Sequence, residues 1–264
     1  MSHSQSNRRA IAGAGPLLSR HVSAAPSDIL GGGESVHLAT LAIKLACLDM
    51  AGTVINDDGI VMGAFASAMK AVGIEGEALK NALTYTSQTM GKPKATVFAD
   101  LLGGDRQTPR VEEALATFNL AIAEAISDGR VVEVPGARAT MTALRARGVK
   151  VCLTTGFTPE TQEAMVAYLG WQGLVDLTLA PGRGLRGRPY PDMVLAAVLR
   201  LAVDDVREVA VVGDTASDLW SGHRAGAGIV AGVLTGSHGR SQLEEAPHTH
   251  ILGSVADLPS LIRS

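Results

Sequence analysis

The rhythm of apolar positions changes twice along this chain. Ile43 to Leu48 is a short, largely apolar run, which predicts a buried parallel strand. Between Thr53 and Val131 such runs disappear. Four stretches, about 60–72, 76–89, 93–102 and 110–128, instead repeat their apolar residues at helical spacing, and no strand is expected in that interval. From Pro135 the two patterns alternate. Helices are expected over 136–147, 159–169, 189–201 and 217–225, interleaved with the runs Val149–Thr155, Leu174–Leu179, Glu208–Val212 and Ile229–Leu234. A turn-rich piece, Ser254–Arg263, closes in a short helix. Strands alternating with helices of this length make βαβ units and a parallel sheet. The fold class expected is therefore α/β, a doubly wound, Rossmann-like parallel sheet with an all-helical segment inserted after its first strand.

This pattern divides the chain into a core, residues 41–56 and 131–264, and a helical insertion, residues 57–130. Residues 1–40 are rich in Ser, Gly and Ala without a steady period, and GGGES at 31–35 reads as a linker, so a flexible tail is expected there. Gly31–Gly33 is no dinucleotide fingerprint, since no strand precedes it and no helix follows. No organic cofactor is expected.

Composition narrows the function classes. At 46% hydrophobic and 19% charged, the 264 residues carry enough apolar surface for a globular core. A balance of 23 basic against 26 acidic residues, net −3, gives no reason to expect a nucleic-acid partner. No apolar run reaches the roughly 18–20 residues that span a bilayer. Arg8-Arg9 precedes a mildly apolar IAGAGPLL, but that stretch is short, glycine-rich and closed by Arg20-His21, so a cytoplasmic address is expected rather than a secretory signal. Cys47 and Cys152 sit inside apolar runs and read as reduced, buried small hydrophobes.

In an open parallel sheet, ligands bind beyond the carboxyl ends of the strands. Immediately after the apolar runs stand Asp49 to Thr53, then Thr154-Thr155-Gly156, then Arg186-Gly187-Arg188-Pro189, then Gly213-Asp214-Thr215 with Asp218 beyond. One such site is commonly only a turn or a helix cap. Four in succession bring carboxylates, a hydroxyl and cations to one edge. That mixture suits phosphoryl transfer: a carboxylate attacks phosphorus, and a dication on hard oxygens, a side-chain cation and hydroxyls offset the charge.

The strings DMAGT, TTGFTPE, GRPYPDM and VGDTASDL, in this order, resemble the four motifs of the haloacid dehalogenase superfamily of hydrolases. The resemblance covers about residues 43–262 and implies that the helical insertion is a cap over the core. Most phosphatases of that superfamily carry an acid two residues after the nucleophile; here Ala51 occupies the position. Ala in D-x-A-G-T marks the phosphonoacetaldehyde hydrolases and their phosphonatase-like relatives, in which a cap lysine within M-G-x-x-K forms a Schiff base with the aldehyde. Met90-Gly91-Lys92-Pro93-Lys94 matches that spacing. The resemblance implies Asp49 as nucleophile and Mg²⁺ ligand, Lys94 as Schiff-base amine, Thr155 (with Thr154 as the alternative) and Arg188 on the phosphoryl group, and Ala51 (through its carbonyl) and Asp214 on the metal, with Asp218 either a ligand or a carboxylate just behind it. Gly52, Thr53, Met50, Met90 and Gly156 would line the substrate, and a homodimer through the cap is implied as well. Lys92 is the second cation expected to depress the Lys94 amine. Three positions depart from the phosphonatase pattern: Met50 stands for Trp, Val97 for His and Phe157 for Tyr.

These readings favour C–P bond hydrolysis of a small phosphonate aldehyde. A phosphate-monoester phosphatase is the second reading, which Ala51 disfavours, and a non-catalytic phosphate binder the third. His223, His238, His248 and His250 are expected in or near C-terminal loops, in surface or strand-end roles.

Overall fold

The computed structural model describes residues 42–262; the expected tail, 1–40, lies outside them. In chain order the elements are β1 (Leu45–Asp49), β2 (Ile55–Asn56), α1 (Ile60–Ala71), α2 (Gly76–Gln88), α3 (Lys94–Leu102), α4 (Pro109–Ser127) and β3 (Val132–Glu133). There follow α5 (Ala137–Ala146), β4 (Lys150–Thr154), α6 (Pro159–Tyr168), β5 (Leu177–Leu179), α7 (Asp192–Arg200), β6 (Val209–Gly213), α8 (Ala216–Ala225), β7 (Ile229–Val233), α9 (Arg240–Glu244), β8 (His250–Leu252) and α10 (Leu258–Leu261). Short 3-10 turns at Val206–Glu208 and Val255–Asp257 complete the set.

Six strands form one parallel sheet in the order β5-β4-β1-β6-β7-β8. The chain therefore winds outward from β1 to one edge, returns, and winds outward to the other. The switch point lies between β1 and β6, and this is where ligands gather in such sheets. Alternation along β1 splits its side chains between the two layers: Ala46 and Leu48 enter the larger core cluster, while Leu45 and Cys47 pack with Met193, Val194 and Ala197 of α7. Cys47 lies in register with Cys152 across the β1–β4 pair, and both thiols are free and buried.

Helices α1 to α4 follow β1 and β2 directly. They pack on one another around Phe65, Phe98 and Phe118, whose ring centroids stand 4.8, 4.9 and 5.9 Å apart. Local signals set their ends. Pro109 opens α4 after Thr108, and Gly103 takes the left-handed conformation that stops α3. Among the described residues, no helix is long and apolar enough to cross a membrane.

Several expectations are corrected. A strand does occur between Thr53 and Val131: β2 pairs antiparallel with β3, Ile55 opposite Glu133 and Asn56 opposite Val132, and ties the two chain crossings together. Helix α7 starts at Asp192 rather than 189, behind Pro189 and Pro191. His223 lies within α8, not in a loop. His238 is buried, and its Nδ1 accepts the Ala216 N–H at 3.1 Å, satisfying a free donor at the start of α8. His250 opens β8.

Candidate active site

Asp49 closes β1 in register with Thr154 of β4, and the residue is only 4% exposed. The loop carrying Arg188 enters from beyond β5. Its Nη1 donates to Asp49 Oδ1 at 2.5 Å and to Asp218 Oδ1. The other Asp218 oxygen accepts the Thr215 N–H at 3.1 Å in a capping box at the start of α8. Asp214, just beyond β6, accepts the Ser237 N–H on Oδ2 at 2.6 Å, whereas its buried Oδ1 has no partner among the described residues. One oxygen from each of Asp49, Asp214 and Asp218 lies within 4.8 Å of the others.

These carboxylates are short of positive charge. Burial, reinforced by Asp218 and against the pull of Arg188, lifts Asp49 to about 6. Burial and the charges of Asp49 and Asp218 lift Asp214 well above the carboxylate range. Burial also opposes the charge on Arg188, but Asp218 and Asp49 outweigh it and keep the guanidinium protonated. Three buried carboxylates against one guanidinium, with an unpartnered oxygen on Asp214, fit a hard dication such as Mg²⁺ on oxygen ligands. The backbone keeps the approach open: Gly52 has φ +86°, and a Cβ there or at Gly236 would collide with the Asp214 carboxylate.

Lys94 opens α3 behind Pro93, and its backbone N–H donates to the Gly156 carbonyl at 3.2 Å. Gly156 has no room for a side chain, since a Cβ there would meet the Lys92 carbonyl at 2.7 Å. Lys94 is 8% exposed, with Nζ 5.5 Å from the Phe65 ring centroid and 5.3 Å from that of Phe157. Burial first, and then Arg188, lower the amine to about 8. Lys92 plays no part in that shift; it lines a separate pocket with Arg106, Arg186 and Arg224. This corrects the expectation that Lys92 depresses the amine.

A buried amine held near 8 costs stability at neutral pH. Between about 8 and the ordinary 10.5 the unfolded chain binds the extra proton, so stability rises with pH across that window. Lys94→Met is therefore expected to raise the unfolding free energy at pH 7 by roughly 3 kcal/mol. The gain should shrink as pH approaches 10.5, which thermal melts of both proteins over that range would check.

One small, partly open cavity joins these groups. Asp49, Ala51, Met90, Lys94, Thr155, Gly156, Arg188 and Asp214 all line it. Met50, Gly52, Thr53 and Asp218 do not. Met50 follows Asp49 on the opposite face; its side chain is fully buried in the core, with Sδ 3.5 Å from the Gln162 amide nitrogen. Thr53 is likewise fully buried, and Asp218 spends its oxygens on Arg188 and on the cap of α8. Thr155 Oγ1 accepts the Phe157 N–H at 3.2 Å. Asp57, Val61, Phe157, Thr215 and Ser237 also line the cavity. Asp57 and Ser237 had no signal in the sequence beyond turn-forming neighbours, Asp58-Gly59 and Thr235-Gly236.

Comparison with known proteins agrees with this arrangement. A family model described as haloacid dehalogenase-like hydrolase matches residues 43–226. Phosphonoacetaldehyde hydrolase from Bacteroides fragilis is 27% identical over 266 aligned positions, covering 83% of this chain and 96% of that protein. A phosphonoacetaldehyde hydrolase-like protein from Oleispira antarctica superposes with a TM-score of 0.71 at 23% identity, over 84% of this chain and 92% of its own. A predicted phosphoglycolate phosphatase from Haemophilus somnus superposes with a TM-score of 0.68 at 18% identity, over 84% and 98%. With the parallel sheet, the motif order and the buried carboxylates at its switch point, the family match is decisive: this chain belongs to the haloacid dehalogenase-like hydrolases.

Proposed function

We propose that this hydrolase cleaves the carbon–phosphorus bond of phosphonoacetaldehyde or a related small phosphonate, with Mg²⁺, through an aspartyl-phosphate on Asp49 and a Schiff base on Lys94. The observation that carries the reading is the Lys94 amine, buried, lowered to about 8 and lining one cavity with Asp49. The similarity to phosphonoacetaldehyde hydrolase supports it.

Cleaving a C–P bond requires somewhere to put an electron pair on carbon. A neutral Lys94 amine adds to the aldehyde, and loss of water gives an iminium. As an Asp49 oxygen bonds to phosphorus, the C–P electrons move onto the iminium and leave an enamine on Lys94. Thr155 and Arg188 hold the phosphoryl oxygens. Water then releases phosphate and restores the Asp49 carboxylate, while protonation and hydrolysis of the enamine free acetaldehyde and Lys94. Asp218 fixes Arg188 beside Asp49. Asp49, Asp214 and the Ala51 carbonyl would hold Mg²⁺, which when bound offsets phosphoryl charge.

The test is a paired assay of phosphate and acetaldehyde with phosphonoacetaldehyde and Mg²⁺. Equal release of both, lost on chelation with EDTA and restored by Mg²⁺, is the expected result. Absence of turnover overturns the substrate assignment. Phosphate-ester hydrolysis is the competing reading. Ala51 argues against it, because an alkoxide leaving group there has no acid two residues after Asp49.

A further inference from the structure

We infer that Asp57 is the proton carrier on the leaving-group side of the cavity, taking up and returning the protons that Schiff-base chemistry at Lys94 requires. The inference rests on the Lys94 reaction proposed above.

Five ionisable side chains line the cavity: Asp49, Asp57, Lys94, Arg188 and Asp214. Asp49 is committed to phosphorus and Asp214 to the metal. A guanidinium does not give up its proton. Positions from which another acid or base could serve the aldehyde are apolar: Ala51 lines the cavity, and Val97 and Phe157 are buried hydrophobics. Only Asp57 remains to exchange protons with Lys94.

Its placement suits the task. Oδ1 accepts the Val61 N–H at 2.9 Å, which fixes the carboxyl at the start of α1. Oδ2 receives no hydrogen bond among the described residues. Asp57 also lines a neighbouring polar pocket of about 350 Å³ with Asn56, Asp58, Ser87 and Thr235, which gives the carboxyl a route for proton exchange with solvent. Burial raises it from its ordinary value, against the Val61 N–H and the Lys94 charge, while Lys94 is lowered.

The proton balance closes. Asp57 carboxylate takes a proton from the Lys94 ammonium. The free amine adds to the carbonyl carbon, and proton transfer from nitrogen to oxygen leaves a neutral carbinolamine. Protonated Asp57 then delivers its proton to the hydroxyl; the C–O bond breaks, water leaves and the nitrogen lone pair forms the iminium. Ammonium plus aldehyde has become iminium plus water, with Asp57 again a carboxylate.

Asp57→Asn tests the inference, because Asn keeps an acceptor for the Val61 N–H and caps a helix as well as Asp does, yet carries no exchangeable carboxyl proton. Borohydride trapping of the Lys94 adduct with phosphonoacetaldehyde is the readout, alongside thermal melting. The expected result is an unchanged melting temperature, trapping slowed about 100-fold or more, and partial recovery in Asp57→Glu. A purely electrostatic role predicts the opposite sign. Removing the Asp57 charge would leave more of the amine neutral, so trapping at the wild-type rate or faster overturns the inference. If the wild-type protein releases phosphate but traps no adduct, the Lys94 reading itself falls, and this inference falls with it.

Discussion

Asp49→Asn is expected to remove phosphate release, lowering kcat by about 10⁴-fold or more. The carboxylate is the attacking atom in every hydrolytic reading of this site, and an amide oxygen offers no comparable nucleophile. Loss of fold does not explain the effect. Asp49, Asp214 and Asp218 crowd three carboxylates around one guanidinium, so neutralising one relieves repulsion. Arg188 keeps its ion pair with Asp218. The variant should therefore melt no lower than the wild type. Hydroxylamine should trap an acyl-phosphate during wild-type turnover and none in the variant. Phosphate release within tenfold of the wild type would remove Asp49 from the nucleophile's role.

Lys94→Arg separates the two halves of the chemistry. Arg keeps a cation in the cavity but has no free amine near neutral pH, so no Schiff base forms. Acetaldehyde release from phosphonoacetaldehyde is expected to fall about 10⁴-fold, with no borohydride-trapped adduct. Hydrolysis of p-nitrophenyl phosphate, whose leaving group needs little proton assistance, requires the phosphoryl-transfer groups but no Schiff base and should stay within about tenfold of the wild type. In the wild type, trapping should increase with pH to a plateau above about 8, as the amine becomes neutral. Equal loss of both activities in Lys94→Arg would reassign the lysine to general binding of the phosphoryl group.

How far the sequence disclosed this site depended on scale. The apolar runs located β1, β4, β6 and β7, and the residues following them include Asp49, Thr155 and Asp214, because a parallel sheet delivers its strand ends to one edge. Strands β2 and β3 are two residues each, below any periodicity window, and exist through their pairing with each other. Helix α9 spans five residues and went unforeseen for the same reason. A lysine two residues from another lysine reads as solvated. Its burial depends on Phe65 and Phe157, which lie far from it in sequence. Asp57 within Asn-Asp-Asp-Gly reads as a turn, and its cavity position follows from how α1 sits over the strand ends. Long-range placement of polar side chains is what local patterning does not encode.

The bond from the Lys94 N–H to the Gly156 carbonyl has a bearing on how such a site diverges. The amine is anchored to the sheet through backbone atoms, and those are the same whatever side chains neighbour them. Helices α1 to α4 can exchange their surface residues over generations without carrying the lysine away from Asp49, provided residue 156 stays a glycine. New substrates then arise by relining the walls around a reactive pair that stays in place. Val61, Met90 and Phe157 on the cavity wall are the positions at which such relining would act.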